Sequence, residues 1–157
     1  MTTNLTIGKT YSFDAAHQLV GHNGKCANVH GHTYEVTVEV SGLQITNPYL
    51  SDSGMLMDYA DLDEIVKPII DDLDHAFLIG DGREDIRIDA LTKTYNIGNR
   101  TTAEHIARHL HVRVRAELTK MIESSSIRRA RRFPNIYSLA VTVSETPKTF
   151  ARFSEDI

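Results

Sequence analysis

The chain has 157 residues, 41% of them hydrophobic and 24% charged, which is typical of a folded domain; we expect one domain over 1–157. A formal net charge of −4 gives no general attraction to nucleic acid or to anionic membranes, and a single cysteine excludes intrachain disulfides and multi-cysteine metal clusters. With neither a signal-peptide pattern at the start nor an apolar run near the ~20 residues of a membrane span, we expect a cytoplasmic protein without membrane or nucleic-acid partners.

Alternating side chains predict two strands in the first third of the chain. Residues Leu5 to His17 place apolar groups on one parity, and residues His32 to Ser41 alternate Tyr and Val with Thr and Glu. The segment from Met55 to Tyr59 is a candidate extension of the same sheet.

Helical periodicity predicts two helices further along. The first spans Asp61 to Leu73, with Pro68 inside the pattern predicting a bend or a late start. Residues 80–99 form a long connection with at most a short strand. The second helix begins near Thr101, where Thr101 and Glu104 fit a capping box.

The last third contains an arginine-rich loop at 128–132 and a strand from Tyr137 to Glu145. Strands outnumber helices, and neighbouring strands are expected to pair antiparallel. The predicted class is therefore α+β.

The motif His30-Gly31-His32 is the strongest chemical signal. Side chains two apart on a strand point to the same side, so both imidazoles can reach one ion. A catalytic zinc site takes three protein ligands and leaves one position open, and His17, at the end of the first strand, is the best third ligand. The alternative is a simple turn beside a buried structural histidine.

Cys26 lies four residues before His30, and three roles remain open for it. The three candidate roles are a fourth zinc ligand, an inert buried thiol and a base. The base role has a chemical basis, because nearby cations favour the thiolate. We favour the base.

Two further carboxylate features suit a reactive site. Asp74 precedes His75 where the first helix ends, and such a carboxylate can orient an imidazole and stabilise its charged form. Glu145 ends an apolar strand face, where a planar pair of donors on a ligand would satisfy it. The plain alternatives are a solvated helix end and an exposed strand end.

These motifs together resemble the 6-pyruvoyl-tetrahydropterin synthase superfamily over about residues 10–146. Its pattern is matched, in order, by Phe13 to His17, Cys26-x-x-x-His30-Gly31-His32, Gly54 to Tyr59, Leu73 to His75, Thr102 to Glu104, and Ser144 to Thr146. The three-residue gap between Cys26 and His30 looks like the 6-carboxytetrahydropterin synthase branch. The stretch from His75 to Thr102 is longer than this resemblance leads us to expect.

The resemblance implies a tunnelling fold (T-fold), an antiparallel sheet with two helices on one face. Three subunits would close their sheets into a barrel, and two trimers would stack into a homohexamer with sites between subunits. Closure would also remove exposed sheet edges.

The resemblance also implies the roles of the site residues. His17, His30 and His32 would hold Zn²⁺, Cys26 would be the base, and Asp74 with His75 would relay protons. Glu145 would anchor the pterin, with Thr102 and Glu104 as further contacts that helix capping explains equally well.

The implied reaction is zinc-dependent conversion of 7,8-dihydroneopterin triphosphate to 6-carboxytetrahydropterin, acetaldehyde and triphosphate, on the route to queuosine-type deazapurines. One alternative ends at 6-pyruvoyl-tetrahydropterin without carbon–carbon cleavage. Two others are a noncatalytic zinc-binding oligomeric module and a generic zinc hydrolase.

Overall fold

The structure, a computed structural model, describes residues 4–80, 93–127 and 136–157. Its six strands form one sheet in the order β4-β3-β1-β2-β5-β6, with two long helices. In chain order the elements are β1 (Asn4–His17), a short 3₁₀ turn (Lys25–Ala27), β2 (His30–Leu43), α1 (Tyr59–Leu73), β3 (Ala76–Ile79), β4 (Thr94–Asn96), α2 (Ala103–Ile127), β5 (Ile136–Thr146) and β6 (Thr149–Asp156).

The predicted α+β class is confirmed, with one correction to the strand directions. Strands β1, β2, β5 and β6 pair antiparallel, as expected. Strand β3 instead runs parallel to β1, because α1 carries the chain back between β2 and β3, and β4 runs parallel to β3.

One face of the sheet packs on both helices and forms the core. The apolar side chains at alternate positions of β2 and β5 pack against the apolar face that the sequence predicts on each helix. The core includes Val36, Val38, Val40, Leu139, Val141 and Val143 from the strands, Leu62, Ile65, Val66, Ile69 and Ile70 from α1, and Ile106, Leu110, Val114 and Leu118 from α2.

The opposite face of the sheet, which we call the open face, carries polar side chains. Hydroxyl pairs bridge β1 and β2, with 2.8 Å between the side-chain oxygens of Thr6 and Ser41 and 2.9 Å between those of Thr10 and Thr37. Such a face suits contact with water rather than a second apolar layer.

Helix α1 begins two residues earlier than predicted and runs through Pro68. Its N-cap is Asp58, whose carboxylate accepts a 2.8 Å hydrogen bond from the amide of Ala60. Pro68 is exposed, so water can satisfy the carbonyl that the missing N–H leaves free.

Two local predictions are wrong. The segment from Met55 to Tyr59 is not a strand, because it leads into the Asp58 cap. Thr101 does not cap α2: its hydroxyl donates to the Gln18 carbonyl at 3.2 Å, and the helix begins at Ala103. The sequence also gave no signal for β3 or β6.

The arginine loop at 128–132 and most of the long connection lie outside the described residues. In the ranges that the structure does describe, neither helix has the apolar length needed to cross a membrane.

Candidate active site and metal centre

Strand register brings three histidines together at the end of the β1–β2 pair. His17 is the cross-strand partner of His30, and His32 lies two residues further along β2 on the same face. One ring nitrogen from each of the three lies within 4.8 Å of the others. Gly31 lets the strands approach, because a Cβ there would be 3.2 Å from the carbonyl oxygen of Ala15.

Main-chain carbonyls orient two of these rings. Nδ1 of His17 donates to the carbonyl of Thr101 at 2.6 Å, and Nδ1 of His30 donates to the carbonyl of Asn28 at 2.8 Å. Each Nε2 is then left with a free lone pair, the arrangement typical of metal-ligating histidines.

The three Nε2 atoms fit a metal ion. Those of His17 and His30 lie 3.0 Å apart, where two lone pairs repel unless a cation lies between them or one ring is protonated. Nε2 of His32 is buried and has no hydrogen-bond partner among the described residues. A cation bound by all three would remove both problems.

Burial favours the neutral form of His17, which is the form able to bind a metal ion. Its side chain is 1% exposed, and desolvation lowers its pKa from 6.5 to about 4, with neighbouring His30 and His32 acting in the same direction. The Thr101 carbonyl opposes this shift only in part.

Cys26 lies close to the histidines in sequence but is not in their cluster. It is half-buried in the 3₁₀ turn, and its carbonyl accepts a 2.9 Å hydrogen bond from the amide of Leu19. Its thiol is outside the set of mutually close ligand atoms that the three imidazoles form. The structure therefore does not place Cys26 as a fourth member of the histidine cluster.

Asp74 and His75 form a hydrogen-bonded pair in the turn between α1 and β3, which we call the dyad. Nδ1 of His75 lies 2.7 Å from the Asp74 carboxylate. The amide of Asp14 donates to the other carboxylate oxygen at 2.9 Å, and this bond, followed by the one from His75, lowers the pKa of Asp74. The dyad therefore combines an ionised carboxylate with an oriented imidazole.

His75 has a left-handed backbone, with φ of 57°. This conformation costs a side-chain-bearing residue about 1 kcal/mol. The amide of His75 donates to the carbonyl of Asp14 at 2.7 Å, which ties the turn to β1.

Glu145 and Glu104 both line a cleft of about 290 Å³. We call it the Glu145 cleft; its lining is Leu19, Thr102, Ala103, Glu104, Glu145, Thr149, Phe150 and Ala151. Glu104 lies at the start of α2. Its pKa is lowered mainly by a hydrogen bond from its own backbone N–H, and then by one from the Thr102 side chain. Thr102 and Glu104 thus stabilise the helix start and also face the cleft.

Of the two dyad residues, His75 lines a different and larger cleft, of about 570 Å³. This dyad cleft is lined by Asp14, Ala15, Ala16, Gly31, His32, Thr33, His75, Ala76 and Phe77. Only His32 among the three histidines lines it, and neither Glu145 nor Cys26 does. Within one chain, His75 and Glu145 therefore line separate clefts.

Tyr34 is a site neighbour that the sequence did not single out. Its side chain is fully buried, its ring is 5.4 Å from that of His32, and its hydroxyl has no hydrogen-bond partner among the described residues. Burial, and then the charges of Glu145 and Cys26, raise its pKa. The phenol therefore stays protonated beside the histidine cluster.

Comparison with known families identifies the class of protein. The model of the family described as 6-pyruvoyl tetrahydropterin synthase matches residues 6–156. The chain therefore belongs to this family.

Individual relatives narrow the comparison. The chain is 39% identical to 6-carboxy-5,6,7,8-tetrahydropterin synthase of Haemophilus influenzae, over 95% of this chain and 98% of that protein. It is 32% identical to the enzyme of that name from Rickettsia bellii, over 62% of this chain and 71% of that one.

Solved structures support the fold. The structure of Plasmodium falciparum 6-pyruvoyl tetrahydropterin synthase matches with a TM-score of 0.71 at 21% identity, over 98% of this chain and 99% of that one. The Caenorhabditis elegans protein of the same name matches with a TM-score of 0.61 at 24% identity, over 98% and 97%. The expected T-fold is confirmed.

Proposed function

We propose that this chain converts 7,8-dihydroneopterin triphosphate and water to 6-carboxy-5,6,7,8-tetrahydropterin, acetaldehyde and triphosphate. The observation that carries the proposal is the likeness, over 95% of the chain, to the Haemophilus influenzae 6-carboxy-5,6,7,8-tetrahydropterin synthase. The histidine cluster and the Glu145 cleft support it independently, since the reaction needs an electrophile and a group that recognises the pterin.

The proposed metal is Zn²⁺, held by the Nε2 atoms of His17, His30 and His32. Three clustered imidazoles, two of them oriented by main-chain carbonyls, are a donor set typical of catalytic zinc. When bound, zinc supplies Lewis-acid polarisation of oxygen atoms on the substrate side chain.

The side chains of the chain itself supply recognition and proton transfer. Glu145 accepts two N–H donors from the pterin ring edge, a charge-assisted contact that fixes the orientation of the ring. Cys26 acts as the base that takes a proton from a carbon of the substrate side chain. His75, held by Asp74 at 2.7 Å, carries protons to and from the opposite side.

We propose that each complete site lies between two copies of the chain in a homohexamer built from two trimers. The support is the separation of the two clefts: His75 lines one, and Glu145 lines the other. Bringing both to one substrate then requires a neighbouring copy.

The test is a product assay on zinc-loaded protein. Incubation with 7,8-dihydroneopterin triphosphate should release acetaldehyde and triphosphate in equal amounts, and removal of zinc with a chelator should abolish both until zinc is returned. Activity that persists in the metal-free protein would contradict the role of the cluster.

The second candidate is 6-pyruvoyl-tetrahydropterin formation, which the description of the matching family favours. The same assay separates the two reactions, because triphosphate release without acetaldehyde would establish the pyruvoyl product and exclude the carboxy product. We place the carboxy product on a route to queuosine-type deazapurines, in the cytoplasm.

A further inference from the structure

The peptide group that joins Asp74 to His75 is held at both of its polar atoms. Its carbonyl oxygen, on Asp74, accepts a hydrogen bond from Nζ of Lys93 at 2.7 Å. Its amide, on His75, donates to the carbonyl of Asp14 at 2.7 Å. Because this peptide sets the direction of both dyad side chains, its two partners fix their relative orientation.

Lys93 also caps the end of α1. Its Nζ donates to the carbonyl of Asp71 at 2.8 Å, so one ammonium group bridges two carbonyls of the helix terminus. The last turn of α1 carries Asp71 and Asp72, whose charges lie at the negative end of the helix dipole. A cation at this point offsets that unfavourable arrangement and stabilises the last turn of the helix, which directly precedes the dyad.

Lys93 is itself fixed by the sheet. Its carbonyl accepts a 2.8 Å hydrogen bond from the amide of Phe77, and β4 begins at the next residue, pairing with β3. Lys93 belongs to the long connection between His75 and Thr102, which the family resemblance leaves without a role. The described part of this connection therefore places the ammonium group of Lys93 against the dyad peptide.

We propose that Lys93 is a positioning residue. It holds the peptide group between Asp74 and His75, and thereby keeps His75 in the left-handed backbone conformation that orients the dyad. The proposal rests on the proposed function for what the dyad does. The hydrogen bonds of the Lys93 side chain go to main-chain carbonyls, and its charge also contributes to the lowered pKa of the Asp74 carboxyl.

A matched control separates positioning from general stabilisation of the same helix end. Nη1 of Arg113 contacts the carboxylate of Asp72 at 2.8 Å and the hydroxyl of Tyr95 at 2.8 Å, tying α1 to α2 and β4. None of these contacts involves the dyad peptide. Arg113→Met therefore removes a neighbouring cation that, like Lys93, makes two hydrogen bonds near the end of α1.

The experiment compares Lys93→Met, Lys93→Arg and Arg113→Met in the zinc-loaded protein. Lys93→Met should lower kcat at least ~10-fold with KM and zinc content within ~2-fold of wild type, because misplaced catalytic groups slow chemistry. The exchange rate of the His75 amide with deuterium, measured by mass spectrometry, should rise by a factor of ~10 or more. Lys93→Arg, which keeps the cation, should restore both within ~3-fold.

Arg113→Met should lower the melting temperature while leaving kcat and the His75 exchange rate within ~2-fold of wild type. Unchanged kcat and exchange in Lys93→Met would overturn the proposal, as would equal losses in Lys93→Met and Arg113→Met. If wild-type protein forms no pterin product, the proposed function fails, whereas the exchange measurements still decide whether Lys93 holds the dyad peptide.

Discussion

Main-chain carbonyls, rather than side chains, orient two of the three candidate metal ligands. The i, i+2 spacing of His30 and His32 and the strand-end position of His17 were enough to predict that the rings converge. The partners of the rings were not predictable, because the carbonyls of Thr101 and Asn28 belong to residues whose side chains carry no such signal. Tyr34 was missed because an alternating strand position looks the same whether or not its hydroxyl is paired.

Cys26→Ala distinguishes a catalytic thiol from a structural ligand. We expect zinc content and melting temperature to stay near wild type, because the three imidazoles cluster without the thiol. Turnover of the pterin triphosphate should fall by about 10²–10⁴, the usual range for a lost acid–base group. Metal analysis and steady-state kinetics check both outcomes; loss of zinc together with loss of stability would instead support the noncatalytic zinc module.

Glu145→Gln tests the pterin anchor. Losing the charge should weaken binding of a pterin by about 10- to 100-fold, since hydrogen bonds to a charged group are worth about 1.5–3 kcal/mol. Zinc content should not change. The measurement is a fluorescence titration with a pterin, and the control is Glu155→Gln, whose carboxylate pairs with Arg115 at 3.0 Å and does not line the cleft. Equal weakening in both variants would contradict the anchor role.

At the scale of elements, periodicity located both helices and the long strands β1, β2 and β5, because each buries one continuous apolar face. It missed β3, which is short and buried on several consecutive positions, and β6, whose side chains are mostly exposed. Neither strand carries the alternation that marks a half-buried strand. The turn that presents the dyad was predictable only as the end of α1, since its left-handed residue is a histidine and not a glycine.

The contact between α2 and β5 contains a fully buried histidine that should make stability depend on pH. His111 donates from Nε2 to the carbonyl of Leu139 at 3.2 Å, its Nδ1 has no partner among the described residues, and burial lowers its pKa below 6.5. Below that pH the unfolded chain binds a proton that the folded chain excludes. The free energy of unfolding should therefore fall as the pH drops below about 6.5.

Urea unfolding of metal-free protein at pH 7.5 and 5.5 measures this effect. His111→Gln should show a smaller difference between the two pH values than wild type, because it removes one of the groups that the unfolded chain protonates. His22→Gln, at an exposed loop position, should behave as wild type does. An unchanged difference in His111→Gln would contradict the assignment.

At the scale of the whole molecule, the sheet has one apolar face covered by helices and one hydroxyl-rich open face. The sequence predicted this division through the parity of Thr and Glu on β2. It did not predict that His75 and Glu145 would line separate clefts, because that depends on how distant elements meet.

Mixing two inactive variants tests the shared site. Cys26→Ala and His75→Ala chains, dissociated together in mild denaturant and reassembled, should recover about a quarter of wild-type activity, since some interfaces then join two intact halves. Each variant treated alone should stay inactive, and size-exclusion chromatography with light scattering should give six times the mass of the chain. A mixture that stays inactive after reassembly would place the whole site in one chain.

Asp14 serves both members of the dyad through atoms that almost every amino acid possesses. Its amide holds the Asp74 carboxylate, and its carbonyl holds the His75 amide. Position 14 could therefore carry different side chains in related sequences and still keep both of these hydrogen bonds, because they use main-chain atoms only. Proline alone lacks the amide, so it is the replacement that natural variation should avoid at position 14.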